Sequence, residues 1–231
     1  MRTFDHVDNK LWEANFFIER MEESEFNWFA MRCYFSAFVS SARSVTFAMQ
    51  ASMKGVQGFQ EWYEKIRLEL RENQIARFFH NCRTDDQKIG FNNIVGGSAV
   101  NGKSVYWFGG PDFDIYQHIP KTDVLTTCKS HMTTVCSIVD KAYCDFGFEI
   151  DPDQLFTLAG MTKLKLSLED LEEFLGFPRG YTDIEWDGED KNLIRLENLR
   201  REIPGSCVKP LLFKYLGREL SYPTEPFRAP R

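Results

Sequence analysis

The sequence predicts a mostly α-helical protein: an antiparallel four-helix bundle with a small β-hairpin or meander insertion, followed by a C-terminal extension of short helices. Three observations predict it. Apolar residues recur at helical spacing through most of residues 1–148. Glycines and β-prone runs concentrate at about 91–120. From 149 to 231 the pattern breaks into short elements punctuated by proline and glycine.

In the first helix Leu11, Trp12, Phe16 and Met21 make an amphipathic stretch. Ser24 reads as the N-cap of the second helix, which the pattern extends from about residue 25 to 53, roughly 40 Å at 1.5 Å per residue. That helix is apolar nearly all round, which puts it at the bundle centre. Its small residues Ala37, Ser41, Ser44 and Ala48 let a neighbouring helix come close. Gly55 and Gly58 interrupt the periodicity, and Phe59, Trp62, Tyr63, Ile66, Leu70, Phe78 and Phe79 then describe a third helix ending near Arg83.

The β insertion reads as strands at 94–100, 105–108 and 113–119. Asn101-Gly102 is the preferred dipeptide of a type I′ hairpin turn, and Gly109-Gly110-Pro111 marks a second turn. A fourth long helix covers about 122–146, with Val124, Leu125, Cys128, Met132, Val135, Val139 and Tyr143 on one side. In the extension, Asp151-Pro152 starts a short helix that Gly160 ends, and Ser167 with Asp170 forms a capping box. A further helix spans about 190–202, until Pro204-Gly205, and the last ten residues, with Pro223, Pro226 and Pro230, form an extended tail.

Lysines and arginines number 28 against 34 aspartates and glutamates, a formal net charge of -6 with no segment carrying a basic excess. Broad nucleic-acid duplex binding is excluded on that balance, while a local phosphate site built from a few arginines is not. Six cysteines lie scattered without a C-x-x-C pair, and residues 1–10 contain no apolar signal region, which together indicate a reduced, cytoplasmic protein. Arg32, Arg43 and several serines interrupt the most apolar stretch, 26–49, so no membrane span is expected. The 21 phenylalanines are the compositional oddity. In the second helix Phe26, Phe29, Phe35, Phe38 and Phe47 lack interleaved basic residues, so they read as core or dimer-interface filler rather than a base-stacking platform.

Residues Gly97 to Ser104 match the P-loop pattern G-x-x-x-x-G-K-[ST], but Ser104 leads into the β-prone Val-Tyr-Trp-Phe rather than a helix. ATP binding is therefore not expected. Cys128 with His131, and His80 with Cys82, are isolated pairs that do not add up to a zinc signature, so neither a metal nor a cofactor is expected. Arg32, Ser36 and Arg43 share one face of the apolar second helix. Buried guanidinium groups need partners, either acids such as Glu61, Glu64 or Asp140, or solvent, or an anionic ligand. The third helix ends in a basic cluster, Arg77, His80 and Arg83, followed by Thr84-Asp85-Asp86-Gln87-Lys88.

The helical pattern, the run Ser40-Ser41-Ala42-Arg43-Ser44-Val45-Thr46 in the second helix and the Arg-led polar loop at the end of the third resemble the HEPN superfamily of bacterial helical-bundle proteins over roughly residues 10–147. The resemblance implies an antiparallel four-helix domain, commonly dimeric. In many such proteins it also implies a metal-independent ribonuclease of toxin–antitoxin or anti-phage systems, whose signature is an Arg, a polar residue and a later His. Arg83 matches the motif Arg, Thr84 stands in the polar position and Lys88 occupies the place of the catalytic His. A histidine with a pKa near about 6.5 suits proton abstraction from a 2′-hydroxyl, whereas an unperturbed lysine near about 10.4 stays charged.

The expectation is thus a non-catalytic, homodimeric, HEPN-like binding or regulatory protein, with Arg77, Arg83, Lys88 and Arg43 as residues for an anionic or RNA ligand, or else a protein partner. The alternatives are a metal-independent endoribonuclease using Arg83 with His80 or Lys88, and a structural interaction protein without a ligand site.

Overall fold

The computed structural model describes residues 4–109, 119–183, 185 and 190–217. Ten helices and one two-stranded sheet are formed among these residues: a mostly α fold with a small hairpin insertion.

Helix α1, Asp5–Glu23, turns back through residues 24–27 and packs along α2, Trp28–Ser52. Asn27, not Ser24, caps α2: its Oδ1 accepts from Ala30 N–H at 3.0 Å, while Ser24 lies at the C-terminal end of α1 with its hydroxyl donating to the Met21 carbonyl at 2.8 Å. The buried side of α2 is one broad stripe that includes Met31, Phe35, Phe38, Ala42, Val45 and Met49. Phe26, just before it, and Phe29 and Phe47 within it are exposed, so the helix is less central than its composition suggests.

The expected third helix is two helices, α3, Phe59–Glu72, and α4, Gln74–Ile89. Asn73 separates them by serving both ends. Its extended ψ of 113° breaks the α3 ladder, and its side chain accepts from Ala76 N–H at 3.0 Å to start α4. Asparagine competes well for such local bonds, whereas the apolar periodicity, which runs on through the break, is blind to it.

Strands β1, Ile94–Val100, and β2, Lys103–Phe108, form the hairpin. Val100 pairs with Lys103, and Asn101 and Gly102 both take positive φ (51° and 76°), the requirement of a type I′ turn. The residues matching the P-loop pattern are therefore the tip of a hairpin. The expected strand at 113–119 falls, apart from Ile119, outside the described residues. Phe108 anchors the hairpin in the core, 4.8 Å from Phe78 and 5.6 Å from Phe35 between ring centroids.

Helix α5, Val124–Ile150, begins at Asp123, which accepts from Thr126 N–H, and bends at Phe146. It touches α1, α2, α4 and β2.

The extension folds as α6 Pro152–Leu155, α7 Leu158–Leu164, α8 Leu168–Phe174 and α9 Lys191–Arg201 around a separate small core of Leu155, Phe156, Leu168, Leu171, Leu196 and Leu199. The Ser167–Asp170 capping box is present. Gly160 lies inside α7 rather than ending a helix: a Cβ there would sit 2.4 Å from the carbonyl oxygens of Gln154 and Leu155, so the close return of the chain demands glycine. The chain then returns to the bundle. Helix α10, Lys209–Leu216, puts Leu211 and Leu212 into the main core, and Lys214 and Tyr215 bond Asn15 of α1. The expected tail lies outside the described residues. All six cysteines are free thiols, and no described helix is long and apolar enough to cross a membrane.

Candidate functional site: an arginine-lined cleft

The break at Asn73 folds α4 back beside the end of α3, so that Arg67 and Arg71 of α3 and Arg77 and His80 of α4 share one cleft with Arg43 of α2. Its volume is about 620 Å³. Val39, Ala42, Phe79, Val135 and Ile138 give it apolar walls, and Thr46, Gln50, Tyr63 and Asn81 add polar ones. No carboxylate is among its described lining residues.

Arg43 is half-buried. It donates to Thr46 Oγ1 at 3.2 Å and lies 4.5 Å from the centroid of the Phe47 ring, while its Nε is buried without a hydrogen-bond partner. Burial holds its guanidinium below the ordinary arginine range, and Arg83 and Arg67 push the same way against an opposing influence of Tyr63. Of the acids that the sequence offers as partners, Glu64 bonds Arg67 at 2.7 Å instead. Arg71 and Arg77 have no carboxylate partner among the described residues. Gln50 bridges two walls by donating to Tyr63 Oη at 2.9 Å and to the Thr46 carbonyl at 3.1 Å.

Two histidines line the cleft. His131 is 8% exposed, stacks on Phe79 with centroids 4.3 Å apart and meets Phe38 edge-on; its Nδ1 is buried and has no hydrogen-bond partner. Burial, reinforced by Arg43, pushes its pKa down to about 3, so the ring is neutral at ordinary pH. His80 is held below the usual histidine value, first by partial burial and then by Arg43 and Arg83.

The basic residues singled out from sequence divide. Arg43, Arg77 and His80 meet in the cleft. Arg83 flanks it, 5.7 Å from the centroid of the Phe47 ring that Arg43 also covers. Lys88 does not join them. The segment from Arg83 to Lys88 is helix, not loop, and five positions on a helix turn through about 140°, leaving Lys88 exposed near the end of α4. Ser36 leaves the expected polar face as well: it donates to Asp86 at 2.7 Å and accepts from Asn92 at 3.0 Å, tying α2 to the far end of α4.

Arg67, Arg71, Tyr63 and Gln50 were not signalled as site residues by any motif. The four-residue spacing of Arg67 and Arg71 places them on one face of α3, yet only the break at Asn73 turns that face toward Arg77. Among the described residues no group of three or more His, Cys, Asp and Glu is arranged to hold a metal ion.

Comparison with family models, with curated proteins and with solved structures returns no match.

Proposed function

We propose that the protein is a cytoplasmic, homodimeric, HEPN-like binding or regulatory protein that takes an anionic ligand, RNA or a smaller phosphate, in the cleft centred on Arg43. One observation carries this reading: arginines from three helices converge on a cleft that no described carboxylate lines, and one of them, Arg43, is half-buried with an unpartnered Nε. A half-buried guanidinium without a counter-ion, with the exposed Arg71 and Arg77 beside it, favours an oxyanion, which such groups bind by charge-assisted, often bidentate, hydrogen bonds. Of the expected ligand residues this reading keeps Arg43, Arg77 and the flanking Arg83 and leaves out Lys88.

The direct test is titration calorimetry with pyrophosphate and fluorescence anisotropy with a single-stranded RNA, each on the unaltered chain and on Arg43→Met and Arg77→Ala. Binding that both substitutions weaken supports the reading. Failure of both probes to bind removes it. Chromatographic mass measurement tests the dimer that the resemblance implies.

A second reading, a metal-independent endoribonuclease, draws on His80, whose lowered pKa leaves it neutral near pH 7 beside Arg43 and Arg83, as a proton acceptor requires. RNA cleavage in the presence of a chelator, lost on His80→Gln and retained in Lys88→Ala, would establish it. Absence of cleavage at all pH values between about 5 and 9 leaves the binding role.

A further inference from the structure

The cleft has two chemically distinct parts, and a bare phosphate answers only one of them. The arginines supply charge. Beside them lies a floor of Val39, Ala42, Val135 and Ile138 with the Phe79 ring, and the imidazole of His131, stacked on Phe79, lines the same cleft.

From these two halves, and resting on the anion-binding reading above, we infer that the cleft takes a small amphipathic phosphomonoester: a phosphate held by Arg43 and Arg77, and a compact apolar group on the floor bearing one neutral hydrogen-bonding function that meets His131. The volume of about 620 Å³ lies within the range of small-molecule sites. The imidazole is neutral, offering one donor and one acceptor nitrogen, so it can pair with an uncharged hydroxyl or amide.

A nucleobase fits this floor poorly. Its edge carries several donors and acceptors, which the aliphatic side chains of the floor do not answer and only the walls of Thr46, Gln50, Tyr63 and Asn81 can meet, and each buried orphan weakens binding. A polynucleotide fits less well still, because strand binding relies on a basic track and the chain as a whole carries a net charge of -6.

Calorimetry on the full chain tests the inference with inorganic phosphate, phenyl phosphate, 4-hydroxyphenyl phosphate, adenosine monophosphate and a short single-stranded RNA. Phenyl phosphate is expected to bind once per chain and about tenfold tighter than inorganic phosphate, the gain from burying one ring. The 4-hydroxyl group should tighten binding a further few-fold, and His131→Phe, which keeps an aromatic ring against Phe79, should abolish that increment, so that the variant binds the two phenyl esters equally. Phenyl phosphate binding no tighter than inorganic phosphate overturns the inference and leaves the anion site standing. Tighter binding of the nucleotide or the RNA than of phenyl phosphate also overturns it. No binding of any probe removes the anion site itself. The ligand series uses the unaltered chain, so it decides even if the His131 variant does not fold.

Discussion

Arg195 of the C-terminal unit and Arg43 of the bundle are both drawn back from solvent, yet their surroundings are opposite. Arg195 is buried and fully engaged: its guanidinium bonds Glu169 at 2.9 Å, Glu172 at 3.1 Å and Thr182 at 3.0 Å. Glu172, itself buried, accepts further bonds from Gly180 and Thr182, and these outweigh the upward push of burial to hold its pKa at about 2. Arg43 has a hydroxyl, an aromatic face and neighbouring cations instead. A desolvated charge is tolerated structurally only when it is paired. In the C-terminal unit the pairing is internal and sits beside a core of six leucine and phenylalanine side chains; in the cleft no described lining residue is a carboxylate.

The strongest way to break this contrast is at Glu172. Glu172→Ala strands Arg195 and the Gly180 and Thr182 donors in a dry site, and the expected destabilisation is about 3–5 kcal/mol by urea denaturation. A loss below about 1 kcal/mol would mean that the network is ornamental and the two arginines are not so different.

Acid separates the regions next. The unfolded chain takes up a proton at His131 as pH falls through about 6.5, whereas the folded chain does so only near about 3, so the unfolded state binds more protons in between and stability falls across that window. By pH 5 the loss is about 2 kcal/mol. Glu172, depressed from 4.5 to about 2, contributes stability that is complete above 4.5 and lost only as pH falls toward 2. Thermal melts from pH 7 to 5 should therefore fall for the unaltered chain relative to His131→Phe, because the other shifted groups, Asp8 with its carboxyl pushed up to about 6 among them, contribute equally to both. Parallel curves for the two would contradict a buried neutral imidazole.

Smaller effects sharpen the cleft side. Arg43→Met removes an unpaired, partly desolvated charge, so the ligand-free chain should be unchanged or up to about 1 kcal/mol more stable while losing phosphate affinity. Destabilisation beyond about 2 kcal/mol would reveal a structural role and collapse the comparison. Arg77→Ala and Lys88→Ala should each shift stability by less than about 0.5 kcal/mol, with phosphate binding weakened only by the first.

The sequence revealed most readily what periodicity and turn chemistry encode locally. The helix after the hairpin, the Asn101-Gly102 turn and the Ser167–Asp170 capping box are short-range features, and each formed where its residues indicated. What stayed hidden depended on distance. Helix α10 docks on α1 and α5 through Leu211, Leu212 and Tyr215, contacts that no local pattern encodes. The cleft was half legible: Arg43, Arg77 and His80 were recognisable as basic residues in apolar company. Arg67 and Arg71 looked like an ordinary solvated face, and His131 was visible only as an isolated neighbour of Cys128. Lys88 was misplaced because the segment after Arg83 was read as loop, whereas helical geometry carries it round and away from the site.

Asn73 sets a rule about length rather than identity. One residue closes α3 and opens α4: its N–H donates to the Glu69 carbonyl and its carbonyl accepts from Arg77 N–H, both at 3.0 Å, while its side chain caps α4. Aspartate, serine or threonine would supply an equivalent cap acceptor, so the position tolerates substitution within that group. One extra residue at the start of α4 would rotate every later side chain of that helix by about 100° and advance it by 1.5 Å, swinging Arg77 and His80 off the cleft while leaving Arg67 and Arg71 in place. The junction therefore tolerates exchange of its residue but not a change in the number of residues, and a shortened or lengthened variant should keep its helices and lose its site.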